Sequence, residues 1–238
     1  MRKFAGVSQV ARFNWPAYAG AAALVAVALV APRRLRRPLA ALAVGTTWFA
    51  AASLVATNIV YDRSEFAAWE WPRGLFRRPP RSIAVLHAGL DNASAHLRRL
   101  WPEADVQVVD FYDPTAMTEP AIARAREGAR HGDELRDLRP DLDAAFVVLA
   151  AHELRTRPDR AAFFGRIAEA LAPAGRLVLV EHLRDLPNAF VYGPGAWHFL
   201  PRSDYLVAFD EAGLMLQEER SMTPFLRQWV LGRSDARS

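Results

Sequence analysis

The 238-residue chain contains no cysteine, which excludes disulfides, thiolate catalysis and cysteine-built metal sites together. Acidic residues are missing from its first 61 positions, which hold seven basic ones: Arg2, Lys3, Arg12, Arg33, Arg34, Arg36 and Arg37. The other 177 positions carry 23 basic and 26 acidic side chains, so the formal charge of +4 belongs to the front of the chain. That front is also its most apolar part. Positive charge on an apolar segment points to a lipid bilayer as partner and away from nucleic acid. Disorder is excluded, since 52% of the residues are hydrophobic.

Two charge-free runs lie in the front, Phe13 to Pro32 and Pro38 to Tyr61, separated by Arg33-Arg34-Leu35-Arg36-Arg37. At about 1.5 Å per residue each is long enough for a hydrocarbon core of about 30 Å, and Trp15, Tyr18, Trp48 and Tyr61 suit an interface. The first run ends in Leu29-Val30-Ala31-Pro32 without a signal-peptide cleavage pattern, so residues 1–61 are expected to form a two-helix membrane anchor. Eight basic residues flank the pair of runs against four in the turn. The expectation is a multi-pass protein of the cytoplasmic membrane with cytosolic ends; a hairpin that enters one leaflet and returns is the alternative. Residues 62–81, which mix Phe66, Trp69, Trp71 and Phe76 with arginines and close on Pro79-Pro80, read as an interfacial collar and linker.

From Ser82 to the end at 238 the pattern becomes that of an α/β domain. Short apolar β-rich runs (Ser82–Ala88, Val106–Phe111, Asp143–Ala151, Arg176–His182) alternate with helical stretches (Ala93–Trp101, Glu119–Ala129, Pro158–Leu171, Asp204–Ala212). Leu214–Glu219 and Phe225–Leu231 follow as two closing strands. Strands spaced by crossover helices imply a mainly parallel sheet covered on both faces. Ligands of such sheets bind beyond the carboxyl ends of the strands, which nominates His87 to Asn92, Asp110 to Asp113, His152-Glu153 and Glu181 to Arg184. Asp110, twenty-one residues after Gly89 at the end of the second strand, is placed to bind ribose hydroxyls.

Residues 141–232 resemble the C-terminal half of class I S-adenosylmethionine-dependent methyltransferases. The resemblance lies in the Asp-led apolar strand DAAFVVLAAH, the helix and turn RIAEALAPAGRLVLVEH, and FDEAGL before the closing strands. It implies a Rossmann-like sheet with a terminal antiparallel pair, S-adenosyl-L-methionine as cofactor and methyl transfer as activity. The family's acid-x-Gly-x-Gly-x-Gly loop falls on His87 to Ala93, where only Gly89 survives. His87, Ala88, Gly89 and Asp91 are the implied cofactor loop, Asp110 the implied ribose ligand and Phe111 an adenine contact. Loss of the glycines leaves a second reading open, a catalytically inactive methyltransferase-like binding module tethered to the membrane.

Methyl transfer to oxygen or nitrogen needs an aligned acceptor and a group to take its proton. His152 with Glu153, and His182, are the candidate catalytic residues; Glu181, Trp197, His198 and Phe199 are candidates for substrate contact. The aromatic loop Asn188 to Pro201 reads as a lid that, with the collar, shapes a site for a small apolar or lipid-linked acceptor. No histidine spacing matches a zinc signature, and no metal is expected. His96 and His131 read as surface residues.

Overall fold

The structure, a computed structural model, describes residues 5–126 and 132–234; Arg2, Lys3, His131 and the expected helix end at 127–129 lie outside the described residues. The apolar front forms α1 (Ala5–Phe13), α2 (Trp15–Val30) and α3 (Arg33–Asn58), and α3 runs on through a wide turn at Ile59–Arg63. A short α4 (Glu65–Ala68) leads to the sheet domain. There β1 (Ser82–His87), α5 (Ser94–Leu100), β2 (Asp105–Asp110), α6 (Pro120–Arg126) and β3 (Leu142–Val148) come first. The chain continues as α7 (Arg157–Ala170), β4 (Leu171–Glu181), α8 (Leu186–Tyr192), α9 (Arg202–Glu211), β5 (Leu214–Thr223) and β6 (Leu226–Arg233).

The six strands lie in the order β2-β1-β3-β4-β6-β5. The first four are parallel, while β6 runs antiparallel to both β4 and β5, which is the expected closing pair. Local chemistry sets the boundaries. Thr156 caps α7 by accepting the Asp159 N–H, Asp185 caps α8 through the Asn188 N–H, and Gly213 (φ 65°) ends α9. Asp143 accepts the N–H groups of Arg81 and Ser82 and so pins the start of β1 beside β3.

One face of the sheet is covered by α7 and α9 through Phe163, Phe164, Ile167, Tyr205 and Phe209. The other is covered by α5 together with Val60, Phe66, Trp69, Trp71 and Leu75. This corrects the reading of residues 62–81 as an interfacial collar. Phe66, Trp69 and Trp71 are buried in the core, where each buried aromatic contributes roughly 2–3 kcal/mol to folding, and their rings are covered by protein and turned away from any membrane surface. His96 is half-buried and stacks on Trp69 with ring centroids 4.7 Å apart, so it is not a free surface residue.

The expected second membrane crossing is not supported. The first apolar run is broken at Asn14, where α1 and α2 meet at a bend of 74°. The sixteen residues of α2 span about 24 Å, short of a hydrocarbon core of about 30 Å. One stretch near the N-terminus, Arg33–Arg63, is long and apolar enough to cross a membrane. The helix α3 also docks on the sheet domain. Trp48 Nε1 donates to the Phe190 carbonyl at 3.3 Å, and the Phe49 ring closes on Gly193 so tightly that a Cβ there would meet it at 2.8 Å.

Candidate active site

The site forms at the carboxyl ends of β1, β3 and β4. After β3, Leu149 adopts a left-handed backbone (φ 54°), an uncommon conformation for a leucine that costs on the order of 1 kcal/mol. The turn points the next amides at Glu181, the last residue of β4. Glu181 is fully buried, and its Oε1 accepts the N–H groups of Ala150 at 2.8 Å and Ala151 at 2.6 Å. Its Oε2 lies 2.8 Å from Nδ1 of His152. Expected to touch substrate, Glu181 is buried behind His152 and holds that ring and the loop that carries it.

The other ring nitrogen of His152 is 3.3 Å from Glu153 Oε1, which is 3.1 Å from His198 Nε2. His198 Nδ1 in turn lies 3.3 Å from the half-exposed Glu119. Carboxylates and imidazoles therefore alternate from the buried Glu181 outward to Glu119. Burial opposes charge on His152, but Glu181 and Glu153 outweigh it and raise the ring to about 10. Burial likewise opposes charge on Glu153, yet hydrogen bonds from His152 and His198 hold it well below the usual carboxylate range. Burial and the neighbouring His152 charge push His182 down to about 4 against the pull of Glu181. Nδ1 of His182 lies 3.0 Å from the Phe225 carbonyl and 3.2 Å from Asn188 Oδ1, and the Asn188 amide nitrogen donates to Asp185. Two acceptors at Nδ1 assign the proton there and leave Nε2 as the lone-pair nitrogen.

Two adjoining cavities meet at His152 and Glu153. The first, about 300 Å³, lies against Ala88, Gly89, Leu90 and Asn92 after β1 and Leu149-Ala150 after β3, and α1 roofs it with Gly6, Gln9, Val10 and Phe13. The second, about 580 Å³, runs between α2 and α3 and is lined by Tyr18, Ala21, Ala50, Ser53 and Thr57. Tyr192, Phe199 and Ile122 border both cavities, while His198 faces the second and His182 the first. Asp62 holds the roof in place by accepting the N–H groups of Gly6 and Val7 at 2.9 and 3.1 Å.

Several expected contacts fall elsewhere. Asp91, expected in the cofactor loop, accepts the Ala93 and Ser94 N–H groups and bonds the Ser94 hydroxyl, and so caps the start of α5. Neither Asp91 nor Asn92 takes up a left-handed turn; in this loop Gly89 alone has positive φ. Phe111 is turned onto Phe163 with centroids 4.5 Å apart, away from the cavity. Trp197 is 70% exposed and lines neither cavity, whereas its neighbours His198 and Phe199 do. His87 is buried behind the loop and accepts the Gly89 N–H through Nδ1 at 3.2 Å. Asp110 sits opposite His87 at the end of β2, but Arg126 pairs with it at 2.8 Å while stacking over Tyr112.

The α1 roof and the α2/α3 walls were missed by sequence reasoning. A signal existed: Ser53, Thr57 and Tyr61 recur every four residues in the charge-free run, so they share one face of α3 and its continuation, and that face borders the cavities.

No family model matches the chain, and no curated protein matches it. Solved structures match its fold. The mitomycin 7-O-methyltransferase MmcR superposes with a TM-score of 0.54 at 16% identity, over 98% of this chain and 73% of that one. The pyocyanin biosynthetic protein PhzM gives 0.53 at 14% identity over 88% and 61%, and TnmH gives 0.50 at 22% identity over 82% and 60%. This chain thus spans about three-fifths of the latter two. The fold is the Rossmann-like α/β fold of S-adenosylmethionine-dependent methyltransferases.

Proposed function

We propose that the chain is a membrane-associated S-adenosylmethionine-dependent methyltransferase acting on a hydroxyl of a small apolar or lipid-linked acceptor. The observation that carries this reading is the Glu181–His152 pair standing where the two cavities meet. The residues around the first cavity fit the cofactor in position. Backbone of Ala88 to Leu90 and of Leu149-Ala150 would hold it, with Asp110 on the ribose once Arg126 yields. When bound, S-adenosylmethionine supplies an electrophilic methyl group. His152 stands beside the place of the acceptor hydroxyl, with Glu181 fixing the ring on the Nδ1 side; the ring takes the hydroxyl's proton at Nε2 only in its neutral form, once that nitrogen has given up the proton it shares with Glu153. Tyr192 and Phe199 exclude water from the junction.

The second cavity is the acceptor's place in this reading. Its walls belong to α2 and α3, whose outer surfaces expose Leu29, Val30, Leu42, Val44 and Val55, a face suited to lipid. An acceptor dissolved in the bilayer would then enter between the helices. A water-soluble cofactor made in the cytosol puts the sheet domain on that side of the membrane. The name of the mitomycin enzyme, O-methylation of a small molecule, agrees with this acceptor class.

The second reading, a tethered non-catalytic module, draws on Arg126 occupying Asp110 and on Asp91 serving as a cap. Calorimetric titration of the detergent-solubilised chain with S-adenosylmethionine and its demethylated product decides between them. Binding that Asp110→Ala weakens at least tenfold supports the enzyme. A folded chain that binds neither ligand refutes it.

A further inference from the structure

We propose that His152, Glu153 and His198 bind one divalent first-row transition-metal ion, with an open coordination position facing the cavity between α2 and α3. The donors come from two short turns, Ala151–Glu153 and Gly193–His198, and their ligand atoms all lie within 4.8 Å of one another. Ligands at about 2.0–2.1 Å around a tetrahedral ion stand about 3.3–3.4 Å apart. Glu153 Oε1 is 3.3 Å from His152 Nε2 and 3.1 Å from His198 Nε2, so the two edges through Glu153 already have that spacing. The third edge closes from no more than 4.8 Å by turning the rings.

The surroundings complete the arrangement. A ligating imidazole is oriented by a carboxylate on its far nitrogen. Here Glu181 stands 2.8 Å from Nδ1 of His152, and Glu119 3.3 Å from Nδ1 of His198. Two imidazoles and one carboxylate with a free fourth position form the donor set of catalytic zinc sites. All three donors line the same cavity of about 580 Å³. Two features oppose the ion: the proton between Nε2 of His152 and Glu153 must leave, so that in the loaded site this ring is a ligand and does not take the acceptor's proton, and Arg155 reaches Nδ1 and the carbonyl of His198. The loaded site therefore requires Nδ1–H to turn to Glu119 and Arg155 to keep only the carbonyl. With Glu153 and His198 forty-five residues apart, no short motif marks the set, which is why spacing along the chain shows no metal signature.

The inference rests on reading that cavity as the acceptor's, since the acceptor oxygen would fill the open position. Its test does not need the acceptor. Full-length protein without a histidine tag is stripped with a chelator in detergent and titrated calorimetrically with Zn²⁺, then with Mg²⁺. One equivalent of Zn²⁺ is expected, bound about 100-fold more tightly than by His198→Ala, while Glu181→Gln weakens it about 10- to 100-fold. Equal affinity in wild type and His198→Ala overturns the metal site. Should the variants fail to fold, the Co²⁺ spectrum of the wild type decides: intense visible d–d bands of a tetrahedral site support it, and the weak bands of a hexaaqua-like ion overturn it. S-adenosylmethionine binding is measured on the same stripped sample. Cofactor binding without a zinc site leaves the methyltransferase reading standing, and a zinc site without cofactor binding does the reverse.

Discussion

Replacing Glu181 by Gln keeps the volume of a fully buried side chain and removes its charge. The carboxylate now accepts two loop N–H groups at 2.8 and 2.6 Å and holds His152 Nδ1 at 2.8 Å. Charge-assisted hydrogen bonds are roughly twice as strong as neutral ones, so the two amide bonds lose about 1 kcal/mol each. The amide NH₂ also comes to face Nδ1–H of His152, breaking a buried pair whose loss adds a few kcal/mol. The expected cost is about 3–5 kcal/mol. At roughly 2–4 °C per kcal/mol for a chain of this size, Tm falls by about 10 °C. Scanning fluorimetry in detergent measures this, and histidine NMR adds a readout that packing alone would not move. The wild-type His152 ring, raised to about 10, stays charged at neutral pH; in Glu181→Gln it titrates well below that value. A Tm within 2 °C of wild type (roughly 1 kcal/mol or less), with unchanged His152 titration, would refute the assignment of Glu181 as the group that sets the loop and ring.

Three further outcomes follow from the geometry. Arg126→Ala removes the ion-pair partner of Asp110 and is expected to tighten S-adenosylmethionine about fivefold, the worth of a partly buried ion pair near 1 kcal/mol; weaker binding in calorimetry would show that Arg126 helps the ligand. Burial holds His182 near 4, against about 6.5 unfolded, so the unfolded chain takes up a proton that the folded chain refuses between those pH values. Its contribution of about 3 kcal/mol is present above pH 6.5 and is lost as pH falls toward 4, and the steepness of unfolding free energy over that window should lessen in His182→Gln. Gly193→Ala places a Cβ 2.8 Å from the Phe49 ring at a positive φ, so the docking of α3 on α8 should loosen, read as faster protease cleavage within residues 190–198; an unchanged cleavage rate would contradict the contact.

The sheet was legible because its strands are short, apolar and separated by helix-length intervals. Asp143–Ala151 read as covered on both faces, and β3 is buried on both. The edge rule located His152, Glu153 and His182, since strand ends follow from strand boundaries. The direction in which a side chain points did not follow. Asp91 and Glu181 are acids at the right edge, yet one caps a helix and the other faces backward onto amides, choices made by backbone turns at Leu149 and before α5. The front was misread for a related reason. Counting uncharged residues from Phe13 to Pro32 passes over Asn14, whose side-chain amide bonds the Val10 carbonyl at the bend. A neutral break is invisible to a charge count, as is a polar stripe on one helix face.

The docking of α3 on the sheet domain has a consequence for synthesis. Trp48 and its partner Phe190 are 142 residues apart in the chain, so one wall of the second cavity emerges from the ribosome long before the segment that it meets. Contacts of such high sequence separation form late. The helical pair must therefore wait, with its polar stripe uncovered, until translation is nearly finished. A nascent chain paused before residue 190 would hold the amides and carboxylates of the site without the enclosure that keeps water from them.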